Sequence, residues 1–237
     1  LMVSPATALE HRAPDLLLAD TYRAGIDPSG YWVSEKLDGV RAYWDGHRLY
    51  FRSGHPVPAP EWFTRRFPSR PLDGELWLGR GAFERLSGIV RTALPVDADW
   101  REVRFMLFEL PGDPGDFTAR QARLRHLATE LAIPWLGAVE QFRVADPSAL
   151  MAKLDAVVRD GGEGLMLHRA DAAYRSGRSD DLLKLKPFLD REARVLAHLP
   201  GKGRHAGRLG ALLVEDAEGR RFRLGTGFSD AQRDRPP

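Results

Sequence analysis

Cysteine is absent from the 237-residue chain. That excludes disulfides, thiolate metal sites and a cysteine nucleophile, and it leaves the redox compartment open. No run of about 18 apolar residues occurs, so no segment can cross a bilayer as a helix. Internal repeats and low-complexity tracts are also missing. The seven histidines, His168 among them, are scattered rather than set at the spacing of a zinc site, and they read as structural or surface residues. An excess of either charge is nearly lacking, since 35 Lys/Arg stand against 33 Asp/Glu for a net charge of only +2. The excess is uneven, because the stretch from Lys184 onward holds twelve Lys/Arg against seven Asp/Glu. A basic bias at that end suits a polyanionic partner.

What remains is 43% hydrophobic, enough to bury one large domain or one domain with a small appendage. Residue 1 is leucine, and Ala6-Thr7-Ala8 has the small-x-small spacing of a signal-peptide cleavage site without an apolar region before it.

Strand and helix signals alternate irregularly. RAYWDGHRLYFRSG predicts a hairpin turning at Asp45-Gly46. PLDGELWLG predicts another strand with its own Asp-Gly, and VRFMLFEL a buried strand ended by Pro111-Gly112. FERLSGIV has helical spacing at Phe83, Leu86 and Val90. A helix follows Asp116, with Leu124, Leu127 and Leu131 as its stripe and Pro134 as its stop. VEQFRV reads as a strand, and a further helix starts at Asp146-Pro147 and ends before Gly161-Gly162. EGLMLHR and DLLKLKPF read as strands, the second with Leu183 and Leu185 on one face and Lys184 and Lys186 on the other. After Pro187, strand-like segments alternate with Gly-rich loops, the pattern of a small β-barrel such as an OB-fold. The predicted division is therefore residues 1–187 and 188–237.

The chemistry concentrates at strand ends. In YWVSEKLDGVRAYWDG, Lys36 closes a half-apolar strand directly before Asp38-Gly39 and Arg41. A lone K-x-D-G of this kind is more often a solvated strand end. Three further features follow in order: Asp73-Gly74-Glu75, Glu163-Gly164, and Lys184-Leu185-Lys186. Each alone is weak, but together and ahead of a β-barrel they are specific. They resemble the nucleotidyltransferase motifs of the ATP-dependent DNA ligases, and LDGELW, GGEGLMLHR and LLKLKP look like those of the minimal bacterial type called Lig E. The resemblance covers the chain from about residue 17 onward.

The resemblance implies an α+β nucleotidyltransferase domain of antiparallel sheets flanked by helices, followed by a partial OB-fold. It implies that Lys36 takes AMP from ATP, with Mg²⁺ (or Mn²⁺ in its place) neutralising the phosphates. A lysine is nucleophilic only when neutral and is ordinarily protonated below about pH 10.4. Partial burial and the positive charges of Lys184 and Lys186 would favour the neutral amine, and the same two lysines would bind the α-phosphate. By resemblance, Arg41 reaches the nucleotide and the 5′-phosphate of the nick, and Arg52 the same 5′-phosphate, both with fork geometry suited to phosphate. Glu75 contacts the ribose hydroxyls and shares a divalent metal with Glu163, Phe108 stacks on adenine, and Ser34 lies where adenine is read through the backbone.

The partner implied is nicked double-stranded DNA, engaged by a monomer in bacterial DNA repair, replication or recombination. The resemblance and the A-x-A pattern together imply the periplasm, and without export the cytoplasm. The chain stops at QRDRPP, before the final basic motif of such enzymes, so the OB-fold is expected to be C-terminally incomplete. An RNA ligase, a capping guanylyltransferase and a non-catalytic nucleic-acid-binding module are the alternatives that these motifs leave open.

Overall fold

Alternating apolar residues build two mixed sheets in the first part of the chain. A computed structural model describes residues 12–187 and 192–236. Ala6-Thr7-Ala8 lies outside the described residues. The chain divides into two units, Leu1–Pro187 and Phe188–Pro237.

The first sheet contains β1 (Leu17–Thr21), β2 (Tyr31–Glu35), β8 (Leu165–Arg169) and β9 (Gly177–Leu185), in the order β1-β9-β8-β2. Val33, Leu165, Leu167, Leu183 and Leu185 point to one face and pack on Leu150, Leu154 and Val157 of helix α5 (Pro147–Arg159). Each fully buried leucine there contributes roughly 2 kcal/mol. The opposite face of the same strands carries Ser34, Met166 and Lys184, which leaves it free to line a pocket. α5 begins where Asp146 caps it, accepting from the Ala149 N–H at 2.8 Å.

The second sheet contains β3 (Val40–Trp44), β4 (Leu49–Phe51), β5 (Leu72–Trp77), β6 (Arg104–Glu109) and β7 (Leu136–Ala138), in the order β4-β3-β5-β6-β7. Its core joins Ala42, Leu76 and Phe105 to residues of α1 (Glu61–Thr64), α2 (Phe83–Arg91), α3 (Asp97–Trp100) and α4 (Phe117–Leu131). The Asp45-Gly46 hairpin and the Leu124 stripe of α4 form as predicted.

Three details differ from expectation. The sheets are antiparallel except at one edge of each, where β1 pairs in parallel with β9 and β7 with β6. The predicted strand at PLDGELWLG forms as β5, but Asp73-Gly74 interrupts its pairing with a register shift against β6, and Asp73 turns inward to hold an arginine. VEQFRV makes only one bridge among the described residues, Val33 to Phe142. The strand forms earlier, at β7, because Trp135 O and the Val139 N–H already bond β6 at 2.7 Å each.

The second unit is an antiparallel sheet of β10 (Ala193–Pro200), β11 (Leu209–Asp216) and β12 (Arg221–Leu224), followed by α6 (Asp230–Asp234). Among the described residues this sheet does not close into a barrel. Arg233 of α6 is buried and donates to Leu209 O (2.8 Å), Gly210 O (3.1 Å) and Gly225 O (2.9 Å), pinning the helix to the sheet.

Candidate active site

Lys36 sits one residue past the end of β2, and its backbone N–H donates to Gly164 O at 2.9 Å. The loop from Lys36 to Gly39 lies directly on β5. A Cβ at Gly39 would come within 2.3 Å of Leu76 O and 2.7 Å of Glu75 Cγ, so only glycine permits the approach. That close approach sets Lys36 beside Glu75, whose carboxyl feels the Lys36 charge. On the other side, Gly164 has φ +154° and a Cβ there would lie 2.3 Å from Leu185 O. The tight crossing of β8 and β9 brings Glu163 between two lysines: Lys36 Nζ donates to one carboxylate oxygen and Lys186 Nζ to the other. Burial alone would push the Glu163 carboxyl up, but hydrogen bonds from Lys186 and Lys36 outweigh it and hold the group below its usual range.

Beside Lys36 opens a cavity of about 300 Å³. Lys184, Met166 and Ser34 form one transverse row of its floor, because Met166 is registered with Lys184 and Ser34 with Met166. Phe108 on β6 and Arg41 on β3 supply the facing wall, with the Arg41 guanidinium 5.3 Å from the centre of the Phe108 ring. Arg41 is gripped by the fully buried Asp73, Nε to Oδ1 at 3.0 Å and Nη2 to Oδ2 at 2.6 Å, and donates to Leu17 O at 2.8 Å. Burial pushes the Asp73 carboxyl up, and the guanidinium offsets part of that. Glu75, opposite Arg41 in register, is pushed up to about 8, first by burial and then by the carboxylates of Asp73 and Glu163, against the pull of Lys36 and Arg41.

The structure thus brings Ser34, Lys36, Arg41, Arg52, Glu75, Phe108 and Lys184 to one cavity. Arg52 is exposed and, among the described residues, makes no ion pair. Glu163 and Lys186 join the group through Lys36. The expected pair of pocket lysines divides: the charge of Lys186 is taken by Glu163, while Lys184 faces the cavity with no carboxylate partner among the described residues.

Three participants were not singled out from the sequence. Asp73 was read only as part of an Asp-Gly motif, and no pattern marked Gln141. Of the two readings given for the histidines, structural or surface, His168 takes the structural one. It is buried in the cavity wall, stacked on Phe117 with ring centres 3.5 Å apart. Burial, then the nearby Arg120, hold its pKa well below the usual value, so the imidazole is neutral.

Among the described residues, no group of three or more His, Cys, Asp or Glu is placed to hold a metal ion unaided. A magnesium ion shared between one or two carboxylates and substrate phosphates needs no such group. Glu75 and Glu163 fit that arrangement, since they lie close enough for the charge of Glu163 to raise the Glu75 carboxyl, a repulsion that a cation relieves.

The sequence profile of the DNA ligase OB-like domain matches residues 200–237. A DNA ligase of Haemophilus influenzae is 34% identical over 238 residues, spanning 100% of this chain and 87% of the relative. A solved structure from a structure–function study of Lig E DNA ligases superposes with a TM-score of 0.88 at 46% identity, covering 95% of this chain and 89% of the other. The Chlorella virus DNA ligase-adenylate shares the fold, with a TM-score of 0.63 at 21% identity over 94% of this chain and 88% of that one.

Proposed function

The chain belongs to the ATP-dependent DNA ligases, and from that premise we propose that it seals nicks in duplex DNA through AMP carried covalently on Lys36. The observation that carries this reading is the position of Lys36, held at the mouth of a cavity by a loop that only glycine lets lie on β5.

In the first step the lone pair of Lys36 Nζ attacks the α-phosphorus of ATP. A P–N bond forms, the bond to the β-phosphate oxygen breaks, pyrophosphate leaves, and the amine gives up its proton. Lys184, facing the cavity with no carboxylate partner among the described residues, offers a charge to the α-phosphate. Arg41 offers Nη1 in a preset plane, because Asp73 and Leu17 O already take the donors of Nε and Nη2. Glu75 accepts from the ribose hydroxyls. The Phe108 ring covers the base. A divalent cation, held by Glu163 and Glu75 with the phosphates, would neutralise the charge that builds on the leaving group.

In the second step an oxygen of the 5′-phosphate attacks the same phosphorus, and the P–N bond breaks to return Lys36. In the third, the 3′-hydroxyl attacks the 5′-phosphorus, the phosphodiester forms, and AMP leaves. Arg52 is exposed at the cavity and free of carboxylates among the described residues, as a contact for the incoming 5′-phosphate needs to be. The basic bias after Lys184 supports binding to backbone phosphates without base readout. No helix among the described residues is long and apolar enough to cross a membrane. The two units serve as catalytic domain and OB-fold domain of a bacterial enzyme that acts as a monomer and, if exported, in the periplasm.

The test is incubation with α-labelled ATP, denaturing electrophoresis, and sealing of a nicked duplex. Label on the protein and a sealed strand are expected. Label only from GTP would make it a capping enzyme, sealing only of RNA an RNA ligase, and no label at all a non-catalytic module.

A further inference from the structure

Two buried polar atoms in the cavity have no hydrogen-bond partner among the described residues. They are Oε1 of Gln141 and Nε2 of His168, the second 3.8 Å from the Glu109 carboxylate, and both residues line the cavity. A buried polar atom left unbonded costs about 1–3 kcal/mol, so two in one cavity call for a guest.

Their placement follows from the sheet. Val33 and Phe142 exchange backbone hydrogen bonds of 2.8 Å each, so Ser34 and Gln141 fall opposite one another with both side chains on the cavity face. Gln141 thereby extends the row of Lys184, Met166 and Ser34 to a fourth member. Residues two apart along a strand are separated by roughly 7 Å. The Gln141 row therefore lies about 7 Å inward from Lys36, with room for a sugar between them. The His168 row, registered with Trp32, lies one step further.

From this geometry we infer that the Gln141 carboxamide reads the base of the nucleotide and sets its preference for adenine. The inference rests on the ligase reading and names the group that selects the triphosphate. Adenine offers a 6-amino donor beside a ring-nitrogen acceptor, and a carboxamide is the neutral side chain that meets both. Gln141 Oε1 accepts from the 6-amino group, which satisfies the orphaned oxygen, and Nε2 donates to the ring nitrogen. Guanine reverses that order, placing a carbonyl oxygen against Oε1. The neutral His168 imidazole contributes a polar contact on the same face without adding charge beside the base. A carboxylate in place of the carboxamide would accept on both arms, which suits the adjacent N1–H and 2-amino donors of guanine.

The experiment measures adduct formation on Lys36 with ATP and with purine riboside triphosphate, which lacks only the 6-amino group. The unaltered protein is expected to favour ATP in kcat/KM by about tenfold or more. In Gln141→Met the preference should fall to within about twofold, with the loss mainly in KM for ATP. In Gln141→Glu the ratio of GTP to ATP use should rise. Equal use of both triphosphates by the unaltered protein overturns the inference without any variant. An undiminished preference in a folded Gln141→Met, checked by its melting curve, overturns it as well. If the unaltered protein forms no adduct with ATP at all, the ligase reading falls, and this inference with it.

Discussion

Arg41 and Asp73 lock together through two bonds of 3.0 and 2.6 Å, and Asp73 has no exposed surface at all. A buried ion pair of this kind is a poor source of net stability, but breaking it leaves an unpaired charge in the wall of the cavity. Asp73→Ala is therefore expected to lower the unfolding free energy by about 3 kcal/mol, somewhat less than for a fully sealed pair because the Arg41 side chain keeps some contact with water. Urea denaturation measures it. A change below about 0.5 kcal/mol would mean that the pair holds nothing in place.

Lys36→Ala should eliminate the labelled adduct. Sealing of a nick that already carries AMP needs no attack by the amine, so that activity should fall far less. Residual label at the unaltered level would move the nucleophile elsewhere, with Lys184 the next residue to replace.

Glu75 supplies a pH dependence. Its carboxyl is pushed up to about 8 from an ordinary 4.5, so between those values the folded protein holds a proton that the unfolded chain has lost. Stability from this group is fully present below the lower value and is lost as pH rises through the upper one. The slope reaches at most about −1.4 kcal/mol per pH unit. Glu75→Gln should flatten the fall in melting temperature between pH 5 and pH 8.5. Parallel pH profiles for the two proteins would rule this out.

Arg52 makes no ion pair among the described residues, so removing its charge should cost contact with DNA and little else. Sealing at subsaturating DNA should weaken steeply with salt, whatever the flanking sequence. Arg52→Ala should reduce the slope of log affinity against log salt by about one. A salt slope identical to that of the unaltered protein would remove Arg52 from the phosphate path.

The Lys36 loop, the Asp45-Gly46 hairpin and the capped helices α4 and α5 were legible because each is written in local residues. Glycine, aspartate and a period of two or of 3.6 suffice to place them. Asp73 falls in a strand as its pattern predicts, but its role stays hidden in the sequence because it depends on an arginine in another strand. β1 and β7 went unseen since each is a short edge strand stabilised by a partner distant in sequence. Gln141 lies inside VEQFRV, which reads as a strand, but nothing in that pattern marks it as a cavity residue. Its place in the cavity depends on a single bridge between Val33 and Phe142, and nothing in the sequence around residue 141 announces that contact.

The edge pairing of β1 with β9 joins residues 17–21 to residues 177–185. While the polypeptide is still emerging from a ribosome, β1 waits without its neighbour until some 160 residues more have been made, a separation that follows from the register of Leu17 with Gly177. Arg41 cannot settle early either, because it donates to Leu17 O, on a strand not yet held. Lys36 obtains its anchor to Gly164 and its bond to Glu163 only in the last quarter of the first unit. Incomplete translation products thus contain the reactive lysine without the surroundings that would let it consume ATP.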